Sequence, residues 1–305
     1  MKKFFKKPER QKPTVKDYHT EILFGQSGNL LIKKYLLSEK PFMIARIGGT
    51  EIKCVDYYVR RRLNKLFPKS YKKRILEEGA HLSGIYPQTN ELFDEFSMIF
   101  IQALKDTDVM AVWYNIGEDE LCKTYCPDSR LIFLEVLKPF FFNLPWSEGL
   151  KGKKVLVIMP FDETVKSQYK KRKLLFENQS ILPEFELVTY KALQGMGGGN
   201  GEYDIWTHAY NKMCEDIKNM DFDIALISAG AFGLPLASYI KNMGKQSIHV
   251  GGALQLLFGL KGKRWDQMEE YTQFYNEHWV YPPASSKPKN TQIIDQYEGM
   301  AAYWT

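Results

Sequence analysis

A short stretch near the beginning of the chain combines a cation, two glycines and a carboxylate, and it runs from Arg46 to Glu51 as RIGGTE. A guanidinium binds phosphate oxygens through two parallel hydrogen bonds, so Arg46 is a candidate partner of a diphosphate. A salt bridge to Glu51 or another acid is the alternative. Glu51 falls in the first turn of a predicted helix, where a carboxylate stabilises the helix dipole, binds a metal ion or acts as a base.

A second group of polar residues follows the glycine-rich loop QGMGGGNG, residues 194–201, which contains Asn200. Ordering three consecutive glycines costs backbone entropy, which favours a flap that a bound ligand orders. Asp204 and His208 come next, on a helix predicted over 202–219, where residues four apart share one face. The pair is either an acid and a base for proton transfer or an ordinary hydrogen bond on a helix.

The third group is the stretch 221–265, whose pattern is strand, tight turn, helix and strand. Free N–H groups at the start of a helix bind anions, so the turn SAGAFG at 228–233 is a candidate phosphate site. Alternatively the glycines only allow helix and strand to pack closely, because Gly230-x-x-Gly233 is not a complete dinucleotide fingerprint. The candidate ligand contacts of this stretch are Ser228, Gly230, Ala231, Gly233, Gly251 and Gly252.

Strands and helices alternate along the chain, which favours an α/β fold with a Rossmann-like, mostly parallel sheet covered on both faces. Apolar runs predict strands at 42–45, 109–113, 131–136, 155–159, 185–191, 224–227 and 247–250. Helical spacing predicts helices at 14–38, 52–63, 70–83, 90–105, 163–176, 202–219 and 234–243. Ligands bind beyond the carboxyl ends of parallel strands. Polar turns follow at 46–51, at 114–120 with Asn115, at 195–204, at 228–233 and at 250–252. His249 ends the last strand and either faces this edge or is a core histidine with satisfied hydrogen bonds.

The bulk composition is that of a globular chain: 305 residues, 44% of them hydrophobic and 26% charged, with a net charge of +6. No run approaches the roughly 20 apolar residues of a membrane span, and the beginning lacks a signal-peptide pattern, so we expect a cytoplasmic protein. Residues 1–15 are predicted to be a basic flexible tail, either solvated or touching an anionic membrane surface. The basic run 60–62 suits a helix carboxyl end, so no nucleic acid is expected as a partner.

One large domain is expected at 16–265, followed by an irregular, aromatic-rich extension at 266–305. Cys122 and Cys126 are the only close pair among four cysteines, a weak zinc pattern, and reduced thiols are expected. The motifs of P-loop NTPases, α/β-hydrolases and zincins are absent, which lowers the expectation for those three classes of enzyme.

Two stretches together resemble bacterial glycosyltransferases of the GT-D fold: FMIARIGGTE at 42–51 and AGAFGLPLASYIKNMGKQSIHVGGALQLLFGLKGKRW at 229–265. The resemblance, which spans about 25–265, implies a single Rossmann-like domain that binds a nucleotide-diphosphate sugar. It also implies an Asp-x-Glu pair that engages Mn²⁺ or Mg²⁺. The corresponding turn of the family reads Arg, Phe or Ile, Gly, Asp, Gly, Glu, so Arg46, Gly48 and Glu51 match, whereas Gly49 replaces the Asp.

The replacement at Gly49 leaves three alternatives. Another acid supplies the missing metal ligand, or arginine and helix N-terminal amides replace the metal, or activity is lost. The acids considered for the first alternative are Asp56, Asp119, Asp162 and Asp204.

With this resemblance, the sequence predicts a glycosyltransferase of the hexosyltransferase class. It would pass a glycosyl group from a nucleotide-diphosphate sugar, such as a UDP sugar, to a hydroxyl of a glycan or lipid-linked glycan in cell-surface polysaccharide assembly. Arg46 and the turn 230–233 would hold the diphosphate, with Gly48 and Gly49 beside it. Glu51 would bind the metal or orient the donor, and Asp204 or His208 would be the base. The alternative is a nucleotide-sugar-binding partner protein in the same pathway, without transfer activity.

Overall fold

The centre of the molecule is one parallel sheet, seen in a computed structural model that describes residues 12–63, 67–196, 199, 202–287 and 303–304. The strands of the described residues are β1 (Ile22–Leu23), β2 (Phe42–Arg46), β3 (Val109–Val112), β4 (Arg130–Phe133), β5 (Lys154–Met159), β6 (Glu186–Lys191), β7 (Ile224–Ile227) and β8 (Gln246–His249). Their order across the sheet is β1-β4-β3-β2-β8-β7-β5-β6, and every neighbouring pair is parallel. The predicted α/β fold with a parallel sheet is confirmed.

Helices connect the strands and cover the sheet on both faces. They are α1 (Gly25–Leu36), α2 (Gly49–Arg62), α3 (Lys69–Leu82), α4 (Asn90–Lys105), α5 (Glu118–Tyr125), α6 (Asp162–Tyr169), α7 (Arg172–Leu175), α8 (Trp206–Lys218), α9 (Gly233–Asn242), α10 (Leu254–Leu257) and α11 (Glu269–Thr272). Residues of α2, α3, α4, α8 and α9 belong to the core on one face, and residues of α1, α6, α7, α10 and α11 to the core on the other.

Side chains alternate between the two faces of each central strand, as the pleat of a strand requires. In β5, Leu156 and Ile158 pack into the first core, whereas Val155, Val157 and Met159 pack into the second, and all five are fully buried. This burial on both faces is the reason that the strands read as nearly continuous apolar runs.

Two predicted helices, 14–38 and 163–176, are interrupted in the structure. The segment 14–38 contains a 3-10 turn at Val15–Asp17, then β1, and only then α1. Ile22 and Leu23 pair with β4, and a strand of two residues has no periodicity that a sequence pattern can detect. The segment 163–176 is divided into α6 and α7.

The segment predicted as an irregular extension packs into the second core through its aromatic rings. Tyr271, Trp279 and Trp304 are buried there, beside residues of β5 and β7. No helix among the described residues is long and apolar enough to cross a membrane. All four cysteines are buried and carry free thiols.

The strand order opens a crevice at one edge of the sheet. After β2 the chain continues to β3, toward the edge of the sheet formed by β1. After β5 it continues to β6, which forms the opposite edge. Loops that diverge in this way leave room beyond the carboxyl ends of the central strands, which is where parallel sheets bind ligands. The predicted polar turns all follow these strand ends.

Candidate functional site

A cavity of about 810 Å³ lies beyond the carboxyl ends of the strands, a size typical of small-molecule sites. Loops after β2, β3, β5, β6, β7 and β8 all contribute to its wall. Most of the predicted ligand contacts line it, namely Arg46, Gly48, Gly49, Glu51, Asn115, Ser228, Gly230, Gly251 and Gly252. The strand-end loops are therefore brought together as the sequence predicts. Asn200, also predicted there, lies outside the described residues.

Arg46 is held in the cavity wall without a polar partner. Its guanidinium carbon lies 5.5 Å from the centre of the Trp113 ring, and it makes no hydrogen bond or ion pair with any residue that the structure describes. The salt bridge to Glu51 is therefore absent within the described part of the chain. A Cβ added to Gly251 would lie 3.2 Å from Cδ of Arg46, so the arginine side chain packs closely against this glycine along the cavity wall. Arg46 thus offers its full set of N–H donors to a ligand.

Trp113 is fixed at the same wall from both ends. Its indole N–H donates to the carbonyl of Ile47 at 2.9 Å, and its backbone N–H donates to Glu118 Oε2 at 2.9 Å. The strand predicted to include Trp113 ends one residue earlier, at Val112, which frees the tryptophan to turn toward Arg46. The ring stays 39% exposed, so it is available both to the guanidinium and to a ligand.

His249 lies in the same wall, and neither of its ring nitrogens has a hydrogen-bond partner among the described residues. Its side chain is only 3% exposed. Burial, and then the charge of Arg46, lower the pKa of His249 to about 3, so the ring is neutral at physiological pH. The imidazole is thus buried as a core histidine is, while its ring also lines the cavity, and an interaction with the Arg46 backbone opposes part of the pKa shift.

The glycine turn before α9 serves two purposes. Gly230 lines the cavity and has a left-handed backbone, with φ of +53°. Gly233 serves close packing instead, because an added Cβ would lie 2.2 Å from Nε2 of His249. Ala231 is buried and is not among the lining residues. Of the predicted contacts in this turn, Ser228 and Gly230 reach the cavity, whereas Ala231 and Gly233 support it from behind.

Glu51 curls back over the beginning of α2. It is the third residue of the helix, and an added Cβ on Gly48 would lie 2.0 Å from its Oε2, so a side chain at position 48 would displace this carboxylate. Glu51 is 8% exposed, lines the cavity, and makes no hydrogen bond or ion pair with a described residue. A carboxylate held in this way is free to accept a hydrogen bond or a proton from a ligand.

Asn115 faces Gly49 from the loop after β3. An added Cβ on Gly49 would lie 3.2 Å from the Asn115 side-chain oxygen, while the amide nitrogen of Asn115 approaches Glu118 Oε1 at 3.4 Å. Glu118 is fully buried and also accepts hydrogen bonds from Tyr18 Oη at 2.6 Å and from the backbone N–H of Asn115 at 3.3 Å. Glu118 is therefore a positioning residue for Asn115 and for Trp113.

Replacing Glu118 by glutamine is expected to change how stability depends on pH. Burial raises the pKa of Glu118 in spite of the hydrogen bonds that oppose the shift. A raised folded-state pKa means a contribution to stability that is complete below the unfolded-state pKa and is lost as pH rises through the folded-state pKa. The free energy of unfolding of the unmodified chain should therefore fall with rising pH relative to Glu118→Gln, as measured by urea unfolding from pH 4 to 8. Parallel pH profiles would contradict this assignment.

Asp204 and His208 are not brought to the cavity. Both side chains are exposed, and neither residue is among those that line it. The helix predicted from Glu202 begins only at Trp206, so Asp204 precedes the helix and does not share a face with His208. Ile205 has an extended backbone, and the buried Trp206 ring at the helix start stacks on Phe232 at 4.8 Å. The predicted acid–base pair on one helix face is thus wrong.

No protein-family model and no curated protein matches the chain. Two solved structures are similar to it. One is described as the selenomethionine-substituted structure of domain of unknown function 1792, at 12% identity and a TM-score of 0.46, covering 78% of this chain and 80% of that one. The other is described as the highly conserved domain of unknown function 1792 with a distinct glycosyltransferase fold. Its identity is 12% and its TM-score 0.48, covering 89% of this chain and 94% of that one. At these values neither likeness bears on the role of any residue.

Positive side chains outnumber carboxylates around the cavity. The basic side chains are those of Lys12, Arg46, Lys53, Arg60 and Arg264, and the acidic ones are those of Glu51 and Asp56. Asp56 is already paired with Arg60 at 2.8 Å. An excess of positive charge in a concave site attracts anionic ligands.

This set of side chains does not fit a dedicated divalent-metal site. Among the described residues no group of three or more His, Cys, Asp or Glu side chains is placed to hold a metal ion. Of the acids considered as substitutes, Asp119 and Asp162 are not among the lining residues and have lysine partners at 3.9 Å, while Asp204 is exposed. Near Gly48 and Gly49 the side-chain oxygens are those of Glu51 and Asn115, so a Mg²⁺ ion there would take its remaining ligands from waters and substrate phosphates.

One wall of the cavity comes from residues remote in the sequence. Tyr303 packs on Gly252, where an added Cβ would lie 2.2 Å from the ring, and its hydroxyl accepts a hydrogen bond from Arg264 at 2.7 Å. Arg264 lies within the stretch 221–265 that the sequence pattern singles out, whereas no pattern indicates Tyr303. Another close contact joins Gly84 to Gly195, where a Cβ on Gly84 would lie 2.4 Å from the Gly195 backbone, holding the loop after β6 at the wall.

Proposed function

We propose that this chain is a glycosyltransferase that takes its sugar from a nucleotide-diphosphate donor. The observation that carries the proposal is the Arg46 guanidinium, which lies unpaired in the cavity wall at the carboxyl end of β2. The side chain is half-buried and faces the cavity, so the N–H donors that no described residue engages are available to bind an anion bidentately. The resemblance of the turn 46–51 to glycosyltransferases supports a diphosphate as that anion.

Two features of the cavity support a nucleotide sugar over a smaller anion. Its volume of about 810 Å³ far exceeds the space that a phosphate alone fills. Aromatic rings stand on its wall at Trp113 and Tyr303, and such rings stack on nucleobases or sugars. The acceptor would be a hydroxyl of a glycan or lipid-linked glycan in polysaccharide assembly.

Glu51 is the base in this proposal. It is the cavity carboxylate without an ion-pair partner among the described residues, since Asp56 is bound by Arg60. It would accept the proton of the acceptor hydroxyl as that oxygen attacks the sugar. This assignment replaces Asp204 and His208, whose exposed positions keep them from the cavity.

A second candidate function is supported by Gly49. With no carboxylate at position 49, the site has one fewer acidic group than the family it resembles. In this alternative the protein binds a nucleotide sugar without transferring it and acts as a partner in the same pathway. Arg46 and the cavity would bind the ligand, and no base would be required.

Transfer and binding are distinguished by one experiment. We expect the chain to release the nucleoside diphosphate from one member of a panel of UDP and GDP sugars, detected by mass spectrometry with and without a short glycan acceptor. Binding by calorimetry without release of diphosphate would support the partner protein instead. Absence of binding to the whole panel would reject both functions.

A further inference from the structure

The question that the cavity raises is what neutralises the leaving diphosphate. In the proposed transfer the bond between sugar C1 and a β-phosphate oxygen breaks, and its electron pair stays on that oxygen. The acceptor oxygen forms a new bond to C1, and its proton passes to Glu51. The departing diphosphate therefore gains negative charge, and a positive group must lie beside it to make the step fast.

We propose that Arg46 neutralises this charge in place of a divalent metal ion. The inference rests on the proposed function and deepens it. The guanidinium has no described hydrogen-bond partner, is permanently charged, and lies against Gly251, whose missing Cβ leaves the approach open. Two parallel N–H groups match two phosphate oxygens, which a point charge does not.

The residues around Gly49 also favour Arg46 over a metal ion as the group that neutralises the diphosphate. A metal that bridges protein and diphosphate is bound through one or two protein carboxylates. Here the carboxylate without an ion-pair partner among the described cavity residues is Glu51, which the proposed transfer already uses as its base. The position that the missing carboxylate would occupy faces the oxygen of Asn115, a neutral group that Glu118 holds in place. The cavity's excess of cationic side chains disfavours a second, divalent cation by like-charge repulsion.

His249 lies beside Arg46 and adds no positive charge to the anion site. Its ring lines the cavity at 3% exposure, and its Nε2 end packs against Gly233, where an added Cβ would lie 2.2 Å away. Burial, and then the charge of Arg46, keep the pKa of this imidazole low, so the ring is neutral. Arg46 therefore supplies the charge that this wall offers to the diphosphate.

The first test compares UDP and GDP binding by calorimetry in EDTA and in Mn²⁺ or Mg²⁺. We expect the dissociation constant of the tighter of the two nucleotides to change less than about threefold between these conditions, because the protein itself supplies the positive charge. Binding that appears only with a metal overturns this inference and leaves the proposed function intact. Binding in EDTA without any transfer product leaves no departing diphosphate for Arg46 to neutralise, and overturns the inference together with the transferase.

The second test restores the missing carboxylate. Gly49→Asp places an acid beside Glu51, so we expect affinity for UDP in EDTA to fall by about 10-fold or more through repulsion, and Mn²⁺ to recover it. Gly49→Asn is the matched control, with the same size and no charge. It should weaken binding by the same steric conflict with Asn115 but show no response to Mn²⁺. Equal metal responses in the two variants, or a metal requirement in the unmodified chain, would overturn the inference.

Discussion

Replacing Arg46 by alanine is expected to lower the rate of glycosyl transfer by about 10²–10³-fold, the usual cost of removing one donor that stabilises developing charge. Nucleotide affinity should fall as well, by about 10- to 100-fold, because a hydrogen bond to a charged group contributes roughly 1.5–3 kcal/mol. Both losses follow from one fact: Arg46 makes no polar contact with a described residue, so its donors are available to the ligand. Initial rates and calorimetry with the same donor measure the two effects.

Stability separates this effect from misfolding. Among the described residues the Arg46 side chain makes no hydrogen bond or ion pair and contacts mainly Trp113 and Gly251, so thermal unfolding of Arg46→Ala should stay close to that of the unmodified chain. Arg46→Lys keeps the charge but loses the paired donors, and should recover only part of the affinity. Arg172→Ala, which removes an arginine bound to Glu184 away from the cavity, is the control. Equal loss of transfer in Arg172→Ala and Arg46→Ala would contradict a specific role for Arg46.

The sheet could be predicted from the sequence because strands that are buried on both faces are apolar at nearly every position. Val155 to Met159 is apolar at every position since alternate side chains enter two different cores. Once the strands are known to be parallel, their carboxyl ends must lie at one edge, and the turns with Arg46, Asn115 and Gly230 meet there. This part of the site follows from local pattern and from one general rule of parallel sheets.

The rest of the site depends on contacts between residues far apart in sequence. Nothing near Tyr303 in the chain indicates that its ring packs on Gly252, and nothing near His249 indicates that its nitrogens are left without partners. The error at Asp204 is of the same kind. The spacing of Asp204 and His208 allows one helix face, but the helix begins only at Trp206, whose ring stacks on the distant Phe232.

Replacing Glu51 by glutamine is expected to separate binding from catalysis. Loss of a general base lowers kcat by about 10²–10⁴-fold. Donor affinity should hold or increase, because a negative charge near the diphosphate is removed while Arg46 is untouched. Helix α2 loses a favourable charge at its N-terminal turn, at a cost of about 0.3–1 kcal/mol, so the variant should remain folded. Single-turnover rates together with calorimetry distinguish this pattern from the joint loss expected of Arg46→Ala.

Asp204→Asn and His208→Gln are the matched controls for Glu51, since each removes a candidate base of the same chemistry from outside the cavity. Both should transfer at a rate close to that of the unmodified chain. If kcat fell strongly in either control while Glu51→Gln stayed near normal, the general base would have to be assigned to a residue near the beginning of α8. Because an exposed side chain has to be carried into the cavity to act there, that result would also require the loop before α8 to close over the donor during the reaction.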